Sequence, residues 1–132
     1  MTRIKKLAIV DDDDIFIYLT TKTIEQTNLV EQIKVFKNGT AAIKFLKENT
    51  SNPELLPEII LLDLNMPIMD GWQFLEEFIL LKPKIGKKIT IYIITSSISP
   101  HDMEKAKGIT EVSDFIIKPV TKEKFVELLN KI

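Results

Sequence analysis

Cysteine is absent from the 132 residues, and histidine occurs once, as His101. Disulfides, thiol catalysis and zinc–thiolate sites are therefore excluded, as are metal sites built on several histidines, and a histidine-based triad is disfavoured. No charge of one sign predominates: 18 Lys and Arg face 19 Asp and Glu, a net charge of −1. Nothing global points to nucleic acid or an anionic membrane as partner. No apolar run is long enough to span a bilayer, and Met1-Thr2-Arg3-Ile4-Lys5-Lys6 carries no signal-peptide pattern, so the chain reads as cytoplasmic. Internal repeats, low-complexity segments and linkers are missing too. What remains is an ordinary globular composition, 45% hydrophobic and 28% charged, over a length that fits one domain, 1–132, with a core of its own.

The pivotal stretch runs from Ile59 to Gly71. Ile59-Ile60-Leu61-Leu62 reads as a strand buried on both faces, the pattern of a parallel sheet covered by helices. It runs straight into Asp63. Pro67 and Gly71 then break the backbone before a helical pattern. Asp63 is thus expected at the carboxyl end of a central strand, the edge at which open α/β sheets bind ligands.

The other segments repeat this plan. Leu7-Ala8-Ile9-Val10 is a short strand ending in Asp11-Asp12-Asp13-Asp14. Four like charges in a row need compensation. Asp13 or Asp14 is a natural cap for the helix that follows, which leaves Asp11 and Asp12 unexplained at the strand end. That helix is expected over Ile15–Thr27, with Phe16, Leu19 and Ile24 inward beside Thr20 and Thr23, and Asn28 as its stop. Glu31–Phe36 alternates like a strand near a sheet edge. Asn38-Gly39 opens a helix with Ala42, Ile43 and Leu46 inward, and Asn49–Pro57 is a loop. From Gly71 the helix carries one row of Trp72, Leu75 and Ile79 and another of Phe74 and Phe78, spacing that signals core packing. Pro83 and Gly86 end it. Ile89–Ile94 is a β-branched strand that stops at Thr95-Ser96-Ser97. Ser99-Pro100-His101-Asp102 is a helix start, with Ser99 as cap, Pro100 as first residue and His101 solvated. Gly108 closes this helix. Asp114–Ile117 is a fifth strand, followed by Lys118-Pro119. The last helix starts from Thr121 and carries Phe125, Leu128, Leu129 and Ile132. Strand and helix alternate five times, which means a parallel sheet with right-handed crossovers.

All carboxyl ends of a parallel sheet lie on one edge. Asp11 and Asp12, Asp63, Thr95 and Ser96, and Lys118 can therefore meet there. Three carboxylates together call for a cation. Oxygen ligands without His or Cys favour Mg²⁺ or a similar hard ion, Mn²⁺ being able to substitute. A lysine, a hydroxyl and such an ion around an aspartate are what phosphoryl transfer to a carboxylate needs.

With these residues in view, the chain resembles a response-regulator receiver domain over essentially its full length. The matching pieces are Val10-Asp11-Asp12, Asp63-Leu64-Asn65-Met66-Pro67 with Asp70-Gly71, Thr95 after the fourth strand, and Lys118-Pro119 after the fifth. The resemblance implies an α/β, flavodoxin-like (βα)5 fold with strand order 2-1-3-4-5. It implies that Asp63 accepts a phosphoryl group from a histidine kinase or histidine phosphotransfer protein. Asp12 and Asp63 would bind Mg²⁺ through their carboxylates, Asn65 through its backbone carbonyl and Asp11 through a water. Lys118 would pair with the phosphoryl group. Thr95 would hydrogen-bond it and move toward it on activation while Phe115 swings inward, and the Lys118–Pro119 peptide would be cis. Two departures touch the signalling face, the one formed by the fourth helix, fifth strand and fifth helix. Thr110-Glu111-Val112-Ser113 lacks the usual Gly-Ala, and Phe115 replaces the more frequent tyrosine.

No further module is expected after the last helix, so the expected output is a protein–protein contact or onward phosphotransfer, with no separate substrate turned over and no direct contact with nucleic acid or membrane. Three rival readings share parts of the pattern. A haloacid-dehalogenase-like phosphatase needs Asp-x-Asp at the first strand and a cap insertion, whereas Asn65 stands two residues after Asp63. A flavodoxin-like FMN binder needs a hydroxyl- and glycine-rich phosphate cradle, and Asp11–Asp14 would repel the phosphate. A receiver fold that binds partners without phosphorylation conflicts with the complete set of site residues.

Overall fold

The structure, a computed structural model, describes residues 3–131. Strands and helices alternate as β1 (Ile4–Val10), α1 (Asp14–Thr27), β2 (Val30–Phe36), α2 (Gly39–Glu48), β3 (Ile59–Leu62), α3 (Gly71–Leu81), β4 (Thr90–Thr95), α4 (Pro100–Lys107), β5 (Val112–Ile117) and α5 (Lys122–Asn130). Every strand pairing is parallel, and the order across the sheet is β2-β1-β3-β4-β5. The flavodoxin-like (βα)5 order expected from the sequence is the order found.

The central strands β3 and β4 are buried at every position, because helices cover both faces of the sheet. The two-residue period divides their side chains. Ala8, Val10, Ile60, Leu62 and Ile93 pack with Ile43, Leu46, Phe74 and Phe78 of α2 and α3. Leu7, Ile9, Ile59, Leu61 and Ile94 pack on the other side with Ile24, Phe125 and Leu128 of α1 and α5. The edge strand β2 is half exposed. No helix among the described residues is long and apolar enough to cross a membrane.

Local chemistry sets the helix ends. Asp13, Asn38, Asp70, Ser99 and Thr121 each accept a backbone N–H from the first turn of their helices, which satisfies donors that the helix itself leaves free. Asn28 closes α1 in the left-handed conformation at φ 56°, tolerable for asparagine.

Two inward faces differ from expectation. On α1, Leu19 is 57% exposed, while Ile17, which is not among the residues expected inward, packs against the core beside Phe16 and Ile24. Thr20 is buried and lies three residues from Ile17 and four from Ile24, so the true face runs through a polar residue and leaves Leu19 outside it. On α3 the buried row is Phe74, Leu75, Phe78 and Leu81. Ile79 is 39% exposed, and Trp72 is only partly buried. The expected loop Asn49–Pro57 contains a 3-10 turn at Pro53–Leu55. Ile132, expected to face inward from the last helix, lies outside the described residues.

Candidate functional site

The sheet ladder extends one residue beyond its strands. The Asp11 N–H donates to the Phe36 carbonyl at 3.0 Å, the Asp63 N–H to the Val10 carbonyl at 2.9 Å, and the Lys118 N–H to the Thr95 carbonyl at 2.8 Å. Asp11, Asp63 and Lys118 are thereby held in line at the carboxyl edge, on backbone as rigid as the sheet itself. The Lys118–Pro119 peptide is cis, as expected.

The side chains converge above this edge. Carboxylate oxygens of Asp11, Asp12 and Asp63 all lie within 4.8 Å of one another. Asp11 and Asp63 are buried and Asp12 is exposed. The Lys118 ammonium stands 3.0 Å from Asp11 and 3.9 Å from Asp63. The second Asp11 oxygen accepts the Asp13 N–H at 2.9 Å. Thr95, fully buried, offers its hydroxyl oxygen to the Asn65 amide at 3.5 Å and to the Ser97 N–H at 3.2 Å. Of the residues expected to meet, Asp11, Asp12, Asp63 and Lys118 come together, Thr95 lies beside Asn65, and Ser96 is exposed. His101, expected to be solvated, is exposed. Phe115 is half-buried on β5, in register with Ile93 and against the α2–α3 core.

Charge balance decides what this arrangement can do. Three carboxylates face one ammonium. Burial is the main cause that pushes Asp63 up from 3.8 to about 6, the Asp11 charge adds to it, and Lys118 and a backbone hydrogen bond from Asn65 only partly oppose them. Asp11 is also raised, again first by burial. Buried carboxylates with so little compensation suit a hard cation, since oxygen donors without imidazole or thiolate fit that class of ion.

The approach of α3 depends on Gly71. A Cβ there would stand 2.6 Å from the Asp63 carbonyl oxygen and 2.8 Å from Leu64 Cα, and real Cβ atoms do not come so close to backbone. Between the two elements, Ile68 adopts φ 70° while the Met69 N–H donates to the Pro67 carbonyl at 2.7 Å. These values describe a γ-turn of the rare positive-φ form.

Three contacts near the site went unforeseen. Phe16 lies with its ring centroid 4.2 Å from the Lys118 ammonium. The Ser97 hydroxyl donates to Asp102 at 2.8 Å, joining the end of β4 to the first turn of α4. The Lys105 ammonium lies 4.6 Å over the Trp72 ring. Spacing within one element cannot reveal pairs made between elements. The one available signal was that Phe16 begins a helix that starts at the site.

Comparison with known proteins agrees with this geometry. The chain is 30% identical to the chemotaxis protein CheY of Listeria monocytogenes over 126 residues, 96% of each chain. A two-component response regulator from Cytophaga hutchinsonii superposes with a TM-score of 0.83 and 34% identity, covering 98% of this chain and 96% of that one. The Mn²⁺-bound form of the response regulator Rcp1 superposes with a TM-score of 0.75 and 25% identity, covering 96% and 90%. A family model described as the response regulator receiver domain matches residues 7–130. With that match over nearly its whole length, the chain belongs to the receiver domain family of two-component response regulators.

Proposed function

We propose that Asp63 is the phosphoacceptor of a two-component or phosphorelay switch. The observation that carries this reading is the placement of the Lys118 ammonium between Asp11 and Asp63, with the Thr95 hydroxyl at the same sheet edge. With its value near 6, Asp63 is mostly ionised at neutral pH and presents a nucleophilic oxygen. That oxygen attacks the phosphorus of a phosphohistidine on a histidine kinase or histidine phosphotransfer protein. A P–O bond forms as the P–N bond breaks, and the departing imidazole takes up a proton from solvent. Lys118 balances charge on the transferred group, and the Thr95 hydroxyl, whose oxygen accepts from Asn65 and Ser97, has its proton available to donate to a phosphoryl oxygen.

Asp11, Asp12 and Asp63, with the Asn65 backbone carbonyl, would hold the Mg²⁺ or Mn²⁺. When bound, such an ion neutralises oxygens of the transferring group and orients them. The Mn²⁺ in Rcp1 supports this assignment. Movement of Thr95 toward the phosphoryl group and of Phe115 inward would alter the α4–β5–α5 face, where an as yet unnamed protein partner reads the state or a further relay member takes the group. The chain modifies its own carboxylate, so separate substrate turnover is not part of this reading, and neither is binding to nucleic acid or membrane. A kinase or relay donor sets it in the cytoplasm.

Intact mass after incubation with acetyl phosphate tests the proposal. The expected result is a gain of one phosphoryl group that requires Mg²⁺ and is absent from Asp63→Asn. Absence of both an adduct and Mg²⁺ binding would overturn it in favour of a phosphorylation-independent interaction module. An adduct that persists in Asp63→Asn would move the chemistry to another residue.

A further inference from the structure

The four consecutive aspartates after β1 have four different surroundings. Asp11 faces Lys118 and the Asp13 N–H. Asp12 stays exposed at the edge of the carboxylate cluster. Asp14 turns away and pairs with Lys37 at 2.6 Å. Asp13 caps α1, its carboxylate accepting the N–H of Ile15 at 3.0 Å and of Phe16 at 3.1 Å. The cap fixes the first turn of α1, and the Phe16 ring consequently lies against the Lys118 ammonium, 4.2 Å from centroid to nitrogen.

We propose that Phe16 is a positioning residue for Lys118, holding its ammonium between Asp11 and Asp63. The inference rests on the phosphoacceptor reading above. The Lys118 side chain is only 15% exposed and has three attractive neighbours: Asp11 at 3.0 Å, Asp63 at 3.9 Å and the ring. Asp11 is the nearer carboxylate and, alone, would draw the ammonium toward β1. The negative face of an aromatic ring attracts a cation without being a carboxylate. It therefore restrains the ammonium without adding a further charge to an acid cluster already in excess, and without a group that competes for a metal ion. An aliphatic side chain would fill the space but supply no such attraction. Phe16 also packs on the core beside Ile17, so the ring is held by the fold and not by the lysine alone.

The test compares wild type, Phe16→Leu, Phe16→Met and Phe16→Tyr for the initial rate of phosphorylation by acetyl phosphate, with Mg²⁺ affinity followed in parallel by thermal shift. Phe16→Leu and Phe16→Met should slow phosphorylation by about fivefold, the size expected from losing a partly desolvated cation–π contact, while Mg²⁺ affinity stays within about twofold. Phe16→Tyr should restore the rate. In urea denaturation, Phe16→Leu should cost more with Lys118 present than in a Lys118→Met background, because the contact is lost only once. A wild-type rate in both aliphatic variants, a Phe16→Tyr as slow as Phe16→Leu, or additive urea effects would overturn the role of Phe16. A wild-type protein that takes no phosphoryl group on Asp63 would instead overturn the phosphoacceptor reading, and this role with it.

Discussion

The Lys118 ammonium lies 3.0 Å from Asp11, nearer than its 3.9 Å to Asp63. One cation thus serves two buried acids unequally, and Asp63 is held up at about 6 against 3.8 in the unfolded chain. A raised folded-state value means that folding favours the protonated form. The associated stability is fully present below about pH 4 and is lost as pH rises through about 6. The shift corresponds to about 3 kcal/mol across that window. Asp63→Asn, neutral at all pH, should therefore stabilise the metal-free protein by about 2 kcal/mol at pH 7.5 and by well under half of that at pH 4.5. Urea unfolding at the two pH values measures it, and an equal gain at both would show that Asp63 is not the group responsible.

Gly71 ties the start of α3 to the strand that carries Asp63. A Cβ would lie 2.6 Å from the Asp63 carbonyl oxygen and 2.8 Å from Leu64 Cα, both backbone atoms with no room to yield. Gly71→Ala should destabilise the protein by about 3 kcal/mol, at the upper end of single-residue effects, because the segment 63–71 must shift as a whole. The same shift should weaken Mg²⁺ protection in thermal unfolding. A loss under 1 kcal/mol would show that α3 can retreat at little cost.

Lys87 accounts for the ordering of the 49–57 loop. Its ammonium donates to the Pro53 carbonyl at 2.8 Å, the Leu56 carbonyl at 2.6 Å and the Glu58 carboxylate at 2.7 Å. Three protons thus find three acceptors. The other Glu58 oxygen accepts the N–H groups of Lys5 and Lys6, so the loop, β1 and the chain entering β4 share one polar joint. Lys87→Met should cost about 2 kcal/mol, discounted for the partial exposure of the pair. The N–H groups of Leu55 and Leu56, which donate to the Asn52 and Pro53 carbonyls, should also lose protection in hydrogen exchange, whereas unchanged exchange there would place the ordering elsewhere.

Most of the fold is legible in the sequence, for reasons that these residues make plain. Ile59–Leu62 and Ile89–Ile94 read as buried strands because an unbroken apolar run in the one and a β-branched run in the other match a sheet covered on both faces. Asp63 and Lys118 were identifiable because each ends such a strand, and parallel topology brings strand ends together. The α1 face was harder. Its inward row includes Thr20, as expected, but takes Ile17 beside Ile24, where apolar periodicity alone selects Leu19. Phe16 reads equally well as core from its spacing, and its contact with Lys118 depends on two elements more than a hundred residues apart in sequence. Pairs of that kind, like Trp72 with Lys105, have no local signature.

Ile68 sits at φ 70° with its side chain 89% exposed. A β-branched residue in this region is crowded against its own backbone, at a cost of about 1–3 kcal/mol. Being exposed, its side chain contributes no packing to offset that cost. Ile68→Gly should raise stability by about 1 kcal/mol after allowance for the greater freedom of glycine in the unfolded chain. The urea midpoint checks it, and a fall in stability would mean that the Ile68 side chain makes a contact outweighing the backbone cost.

Trp72 is the only tryptophan, and the Lys105 ammonium lies 4.6 Å over its ring, so its fluorescence reports on where α4 stands relative to α3. The connection to the site runs through short polar links: Thr95 Oγ1 accepts the Ser97 N–H, and the Ser97 hydroxyl donates to Asp102 in the first turn of α4. If Thr95 leaves Ser97 for a phosphoryl oxygen, the cap of α4 loses its tie to β4, and Lys105, one turn further along, shifts against Trp72. Addition of Mg²⁺ and beryllofluoride should therefore change Trp72 emission. Lys105→Met should reduce that change by more than half, because removing the cation removes the part of the signal that depends on α4. An emission unaltered in a sample whose binding is established independently would mean that the Ser97–Asp102 link absorbs the movement of Thr95 and that α4 does not transmit it.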